Sequence, residues 1–176
     1  SLVRMSARKA SPDAQPVLGD LARRVWAIGQ IHTRIYAANI SALDFADYIK
    51  ALCENMAETE INRPVKLAFS LQPITVDLEN AVPVALILVE LITNAYKYAF
   101  PDNRAGTIAV TLARQGDCAV LTVSDDGAGI DADKKGGTGL QLAQMLAQQV
   151  NGRFDRVGGA GTTFALTFPL RPARPR

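Results

Sequence analysis

Apolar positions along this chain change period several times, and each change marks an element. Leu18, Leu21, Val25, Ile28, His32 and Ile35 recur at alternating steps of three and four, the spacing of a coiled-coil seam on one long helix. Ahead of them Leu2, Val3 and Met5 lie among basic and small residues, as at a helix end. Ser11-Pro12-Asp13 then breaks the chain, with Ser11 as N-cap and Pro12 in the first turn of the next helix. A helix end, a tight turn and a seam-bearing helix predict an antiparallel hairpin over 1–40. Two such hairpins would complete a four-helix bundle by dimerising; the alternative is a seam that packs on the chain's own domain. Residues 39–44 read as a loop. Asp44 would cap a helix over 45–57, whose apolar face is Phe45, Tyr48, Ile49, Leu52 and Met56.

After Asn62-Arg63-Pro64 the period falls to two, and a pair of short strands is predicted over 65–70 and 74–76. Asn80 offers an N-cap for a helix to about residue 100, with Pro83 inside its first turn and Pro101-Asp102-Asn103 ending it. A hairpin follows, with strands over 108–112 and 119–123 joined at Gln115-Gly116-Asp117. The polar, glycine-bounded stretch 130–137 predicts a lid rather than an element. A helix over 139–150, with Leu140, Ala143, Leu146, Ala147 and Val150 inward, closes on Asn151-Gly152. Two last strands, 153–157 and 162–169, flank Gly158-Gly159-Ala160-Gly161, and a basic, proline-rich tail over 171–176 is solvated. The fold class expected is α+β: a helical hairpin, then an α/β domain over 41–176.

Composition narrows the function classes. With 48% hydrophobic and 20% charged residues, the chain has a globular make-up. A net charge of +2 gives no electrostatic case for nucleic acid or an anionic membrane. The apolar run 82–92, interrupted by Pro83 and Glu90, reads as too short and too polar to span a bilayer. No signal peptide is visible, and Cys53 and Cys118 lack metal-ligand or redox spacing; two reduced, buried thiols in a cytoplasmic setting are expected. The chain opens on Ser within a helical pattern, as a fragment of something longer would. His32 is the single histidine, and its seam position favours a hydrogen bond between helices over catalysis.

Candidate chemistry centres on Glu90, Asn94 and Lys97, which stand at i, i+4 and i+7 of a helix. They put a carboxylate, an amide and an ammonium on one face, opposite an apolar stripe of Val84, Leu88, Leu91, Ile92, Ala95 and Ala99. Downstream lies Asp125-Asp126-Gly127-Ala128-Gly129. Residues 127–132 formally fit the dinucleotide fingerprint G-x-G-x-x-G/A. That fingerprint must open a helix, whereas here two carboxylates precede the glycines and a polar Lys-Gly stretch follows. A carboxylate at a strand end can instead accept from adenine's exocyclic amine, with glycines admitting the base close to the backbone. Gly136-Gly137-Thr138-Gly139 precedes a helix N-terminus, where backbone N–H groups and the helix dipole hold phosphates, and Lys134 and Lys135 add positive charge. Asn94 offers an oxygen to Mg2+, and Lys97 can reach phosphate.

These residues resemble the sensor histidine kinases with a GHKL-type (Bergerat) ATP-binding domain. Glu90-x-x-x-Asn94-Ala95-x-Lys97-Tyr98 is similar to the N box, Asp125-x-Gly127-x-Gly129 to the first glycine box, and Gly137-Thr138-Gly139-Leu140 to the second. Gly161-Thr162-Thr163-Phe164 resembles the Gly-Thr-Thr-Phe near that domain's end. The short lid and Ile31-His32-x-Arg34-Ile35-Tyr36 resemble the short-lid subfamily related to the HWE kinases, although Val89 stands where those have His and no Trp-x-Glu is present. The resemblance implies a two-layer Bergerat sandwich behind a dimerisation and phosphotransfer hairpin. It implies ATP and Mg2+ as cofactors, with Asp125 on adenine, Asn94 on Mg2+, Glu90 orienting or activating the nucleophile and Lys97 on phosphate; Tyr98, Gly127, Gly129, Lys134, Lys135, Gly137, Thr138, Gly139, Leu140, Thr162 and Thr163 would complete the nucleotide site. The implied reaction moves the γ-phosphoryl group to a histidine and then to an aspartate of a response-regulator receiver domain, with a homodimer as the working unit and neither nucleic acid nor membrane as partner. The family's phosphoacceptor box has no counterpart in this chain, whose opening Ser1-Leu2-Val3-Arg4-Met5 is similar to the segment after it. Two alternatives stay open: a kinase-derived scaffold without catalysis, and a serine kinase of the anti-sigma-factor type on the same fold.

Overall fold

Strict alternation of buried and half-buried residues builds the main sheet. β4 (Gly106–Gln115), β5 (Cys118–Asp125) and β7 (Thr162–Pro169) each send every second side chain, among them Ile108, Val110, Leu112, Leu121, Phe164, Leu166 and Phe168, into one core. With β2 (Val65–Leu71) and β6 (Arg153–Val157) they form a five-stranded sheet in the order β2-β4-β5-β7-β6. Only β2 and β4 run parallel, from Val65 opposite Gly106 to Leu71 opposite Leu112; the other pairs are antiparallel. The computed structural model describes residues 14–38, 42–58, 60, 62–129, 138–158 and 161–170.

Helices α1 (Ala14–Ala38), α2 (Phe45–Glu58), α3 (Leu78–Asn94) and α4 (Thr138–Gln149) complete the mixed architecture. All five residues expected on the apolar face of α2 are buried, and Asp44 caps it by accepting from the Ala46 N–H at 3.1 Å. In α4, Ala143 and Ala147 point into the core, and Asn151 (φ 52) takes the left-handed position after the helix while the Gly152 N–H donates to the Ala147 carbonyl. Gly116 (φ 60) turns the β4–β5 hairpin as expected.

Four local expectations are corrected. Residues 42–44 form a short strand, β1 (Ala42–Asp44), antiparallel to β3 (Thr75–Asp77) in a separate two-stranded sheet. Residues 65–71 and 75–77 therefore do not pair with each other; after Pro73 the chain leaves the main sheet, and β2 finds its partner in parallel across α3. The cap of α3 is Asp77, whose carboxylate accepts from the Asn80 N–H at 2.9 Å, while Asn80 is buried and donates from its side chain to the Pro169 carbonyl at 3.3 Å. Both residues are good caps, and burial selected between them. The earlier start leaves Pro83 beyond the first turn, where it removes one interior hydrogen bond. Last, the α-helical hydrogen bonding of α3 stops at Asn94, and Ala95–Ala99 continue as one π-helical turn. By length and composition Leu78–Ala99 could cross a membrane, contrary to the sequence reading of 82–92, yet most of it is buried against α1, α4 and the sheet.

The seam expectation has a divided outcome. α1 packs on α3 and sets Ala27, fully buried, and Trp26 against the core, while Leu21, Val25 and Ile28 of the seam remain 48, 49 and 42% exposed. The chain's own domain thus takes a different face of α1 from the one the seam occupies. The segment expected to form the preceding helix of a hairpin, and the side chains of His32 and Ile35, lie outside the described residues.

Candidate nucleotide-binding site

The site is assembled where α3 ends. Its π turn carries Lys97 and Tyr98, and the last residue of that turn, Ala99, is met by the first glycine box: the Ala128 N–H donates to the Ala99 carbonyl at 2.8 Å. Gly127 lies so close to the same carbonyl that a Cβ there would collide with backbone. Glycine is needed at 127 for this approach, and at 129 for a φ of 77°.

Asp125 ends β5, the position expected for a base-reading carboxylate. Its Oδ1 accepts from the N–H groups of Gly127 at 3.0 Å and Thr162 at 3.2 Å. Burial raises its pKa above 3.8, and the hydrogen bonds from Gly127 and Thr162 oppose that rise. Gly161 is required here too, since a Cβ would overlap the Asp125 carbonyl. Neighbouring Asp126 serves the fold instead, its Oδ1 accepting from the Thr107 N–H at 2.8 Å.

At the other side, α4 brings its first turn against α3. A Cβ placed on Gly139 would come 2.5 Å from Glu90 Oε2 and 3.9 Å from Asn94 Nδ2, so the second glycine box, the carboxylate and the amide share one small space. Such a cradle, with an amide and a carboxylate beside a helix N-terminus, suits Mg2+ only as a partner of phosphate oxygens and water, because the chain offers it few oxygens. Among the described residues, no cluster of three or more His, Cys, Asp or Glu forms a self-sufficient metal site.

The charged face runs from buried to exposed along the helix, with Asn94 half-buried and Lys97 exposed. Glu90 is only 6% exposed, and α1 covers it: Arg24 Nε donates to Glu90 Oε1 at 2.6 Å. One turn away on α1, Asp20 takes the Lys97 ammonium through both oxygens, at 2.9 and 2.7 Å. A buried carboxylate requires a counter-charge, and Glu90 finds it outside its own domain's sheet. Sequence reasoning missed Arg24 and Asp20 because the apolar seam is the stronger pattern on α1; the available signal was two opposite charges at i and i+4 on the same face as Ala27.

Glu90, Asn94 and Gly139 thus converge, as do Asp125, Gly127 and Thr162. Leu140 packs against the core, and Tyr98 is 66% exposed. Thr163 follows Thr162 along β7 and so points to the opposite face of the sheet, away from Asp125. Lys134, Lys135, Gly137 and the Thr138 side chain lie outside the described residues.

Residues 79–172 match the model for histidine kinase-, DNA gyrase B- and HSP90-like ATPases. The chain belongs to that family. Residues 1–60 match a second model, described as histidine kinase, which makes this a sensor histidine kinase core of the HWE-related group. Blue-light-activated histidine kinase 2 of Erythrobacter litoralis is 24% identical over 161 residues, 85% of this chain and 46% of that protein. Sensor histidine kinase PdtaS of Mycobacterium tuberculosis is 24% identical over 153 residues, 83% of this chain and 30% of its own length. The chain spans less than half the length of these curated relatives. A solved histidine kinase domain, from the Erythrobacter litoralis EL346 blue-light activated histidine kinase, aligns with a TM-score of 0.79 at 20% identity over 96% of this chain and 93% of that one, showing the shared fold.

Proposed function

We propose that this kinase core binds Mg-ATP between α3, the two glycine boxes and β7, and passes the γ-phosphoryl group to a histidine that precedes residue 1 in the natural protein. From there the group goes to an aspartate of a receiver domain. The observation that carries the proposal is the shared space of Glu90, Asn94 and Gly139 beside the α4 N-terminus, joined through Ala99 and Gly127 to Asp125. Asp125 accepts from the adenine amine, held by the two backbone N–H groups at its Oδ1. Asn94 presents its oxygen to Mg2+, which when bound neutralises phosphate charge as transfer proceeds. The α4 N-terminus supplies N–H donors to phosphate, and Lys97 adds an ammonium once released from Asp20. Glu90 orients the incoming imidazole and takes its proton. The exposed seam of Leu21, Val25 and Ile28 would be covered by a second copy, and the setting is cytoplasmic.

The test is label transfer from γ-labelled ATP in the full-length protein. Acid-labile, base-stable label on a histidine upstream of this chain supports the proposal. Label confined to serine, or label that needs His32, overturns it.

A further inference from the structure

We infer that Arg24 of α1 is a positioning residue for the transfer step, acting through Glu90. This rests on the role proposed above for Glu90 and deepens it by bringing a residue of the hairpin into the site. Glu90 sits among buried apolar residues of α3, including Ile87, Val89 and Leu91, and the adjoining α4 carries no charged side chain in Thr138–Gln149. Arg23 and Lys97, the other cations on this side, are both held by Asp20. Among the described residues Arg24 is therefore the cation that neutralises Glu90. It grips one oxygen, Oε1, and the other, Oε2, is left on the Gly139 side where the reacting groups would meet. The Arg24 pKa is raised, chiefly by its hydrogen bond to Glu90, so the guanidinium is charged throughout.

The contact is held in place and in register. One turn beyond Arg24, Ala27 is fully buried, and its carbonyl accepts from the Tyr48 hydroxyl of α2 at 3.0 Å, which pins α1 beside the site. The two ion pairs run antiparallel: Arg24 meets Glu90, and Asp20 meets Lys97. Sliding α1 by one turn, about 5.4 Å, would set Asp20 against Glu90 in one direction or Arg24 against Lys97 in the other. Like charges then oppose each other, so one register satisfies both pairs. The position of the hairpin helix therefore governs the orientation of the catalytic carboxylate.

The experiment uses the full-length protein, with single-turnover label transfer from γ-labelled ATP and ATP affinity by displacement of a fluorescent ATP analogue. R24A should slow transfer at least about tenfold, a share of the roughly 10²–10⁴-fold that a positioned general base contributes, with ATP affinity unchanged. R24K, which keeps the charge but not the Nε donor, should recover part of the rate. Should R24A fail to fold, R24Q carries the same expectation. The deciding measurement is a double-mutant cycle with E90Q: if Arg24 acts through Glu90, R24A adds no loss in the E90Q background. Additive losses, or transfer by R24A as fast as or faster than wild type, overturn the inference. Wild-type transfer by E90Q would instead overturn the role of Glu90 itself.

Discussion

Asp125→Asn separates base recognition from folding more cleanly than any truncation. Two backbone donors, the N–H groups of Gly127 and Thr162, converge on Oδ1 and dictate which way an amide must point: its oxygen replaces Oδ1 and its NH2 turns to the base. A donor then faces adenine's exocyclic amine, itself a donor. The lost bond is charge-assisted and is worth about 1.5–3 kcal/mol, or about 10–150-fold in ATP affinity. A keto group in the same place, as in GTP or ITP, would accept from the new NH2, so the ATP:GTP preference should fall by more than ATP affinity alone. Stability moves the other way. Burial raises the Asp125 pKa above 3.8, so the folded state holds this proton more tightly than the unfolded chain. Its contribution to stability is fully present below pH 3.8 and is lost as pH rises through the folded value; at neutral pH the ionised group opposes folding. The variant should therefore melt no lower, and by this reasoning higher, than the parent at about pH 7, with the gain disappearing in acid. Nucleotide competition and thermal unfolding between about pH 3.5 and 8 measure both arms. Unchanged ATP affinity, or equal losses for ATP and GTP, would refute the assignment of Asp125 to the base.

Asn94→Ala should abolish Mg2+-dependent ATP binding while leaving the melting temperature nearly unchanged, since Asn94 is only half-buried; tight Mg-ATP binding by calorimetry would contradict it. Gly161→Ala drives a Cβ into the Asp125 carbonyl and should cost about 1–3 kcal/mol by overpacking, whereas Gly158→Ala, with nothing within 4 Å, should be silent in the same denaturant titration. Asp77→Ala removes the α3 cap, worth about 1 kcal/mol, and should lower Tm by about 2–4 °C for a chain of this size; no change would return the cap to Asn80. The Cys53 thiol, pushed up to about 12 by burial, should resist a disulfide reagent in mild alkali until the protein unfolds, and equal labelling of Cys53 and half-buried Cys118 in the native state would contradict that.

Periodicity made most elements legible, because the central strands β4, β5 and β7 are buried on one face and α2 and α4 are buried along one stripe. It failed where a residue had two acceptable uses. Asp77 and Asn80 are equally good caps in isolation, and only the depth of Asn80 beneath Pro169 decides between them. β1 is three residues long, too short for any period to register. The π turn is invisible because the apolar period does not separate α- from π-helical hydrogen bonding over one turn; its last residue, Ala99, receives the Ala128 N–H. The glycine boxes were readable for the opposite reason, since at 127, 139 and 161 a Cβ would strike backbone or a fixed carboxylate, and the chain has no substitute for glycine there.

The largest discrepancy concerns α3, read as an amphipathic helix and found buried on nearly every side. A helix apolar around most of its circumference can keep a buried carboxylate such as Glu90 only if another element neutralises it, because isolated buried charge costs far more than one helix contact returns. α1 does so with residues of the opposite sign in matching antiparallel order. The seam, being apolar, lies on the exposed side of α1, while the face that touches α3 carries charge. Hence the two sides of α1 differ: Leu21, Val25 and Ile28 remain exposed, and Asp20 and Arg24 pair with Lys97 and Glu90.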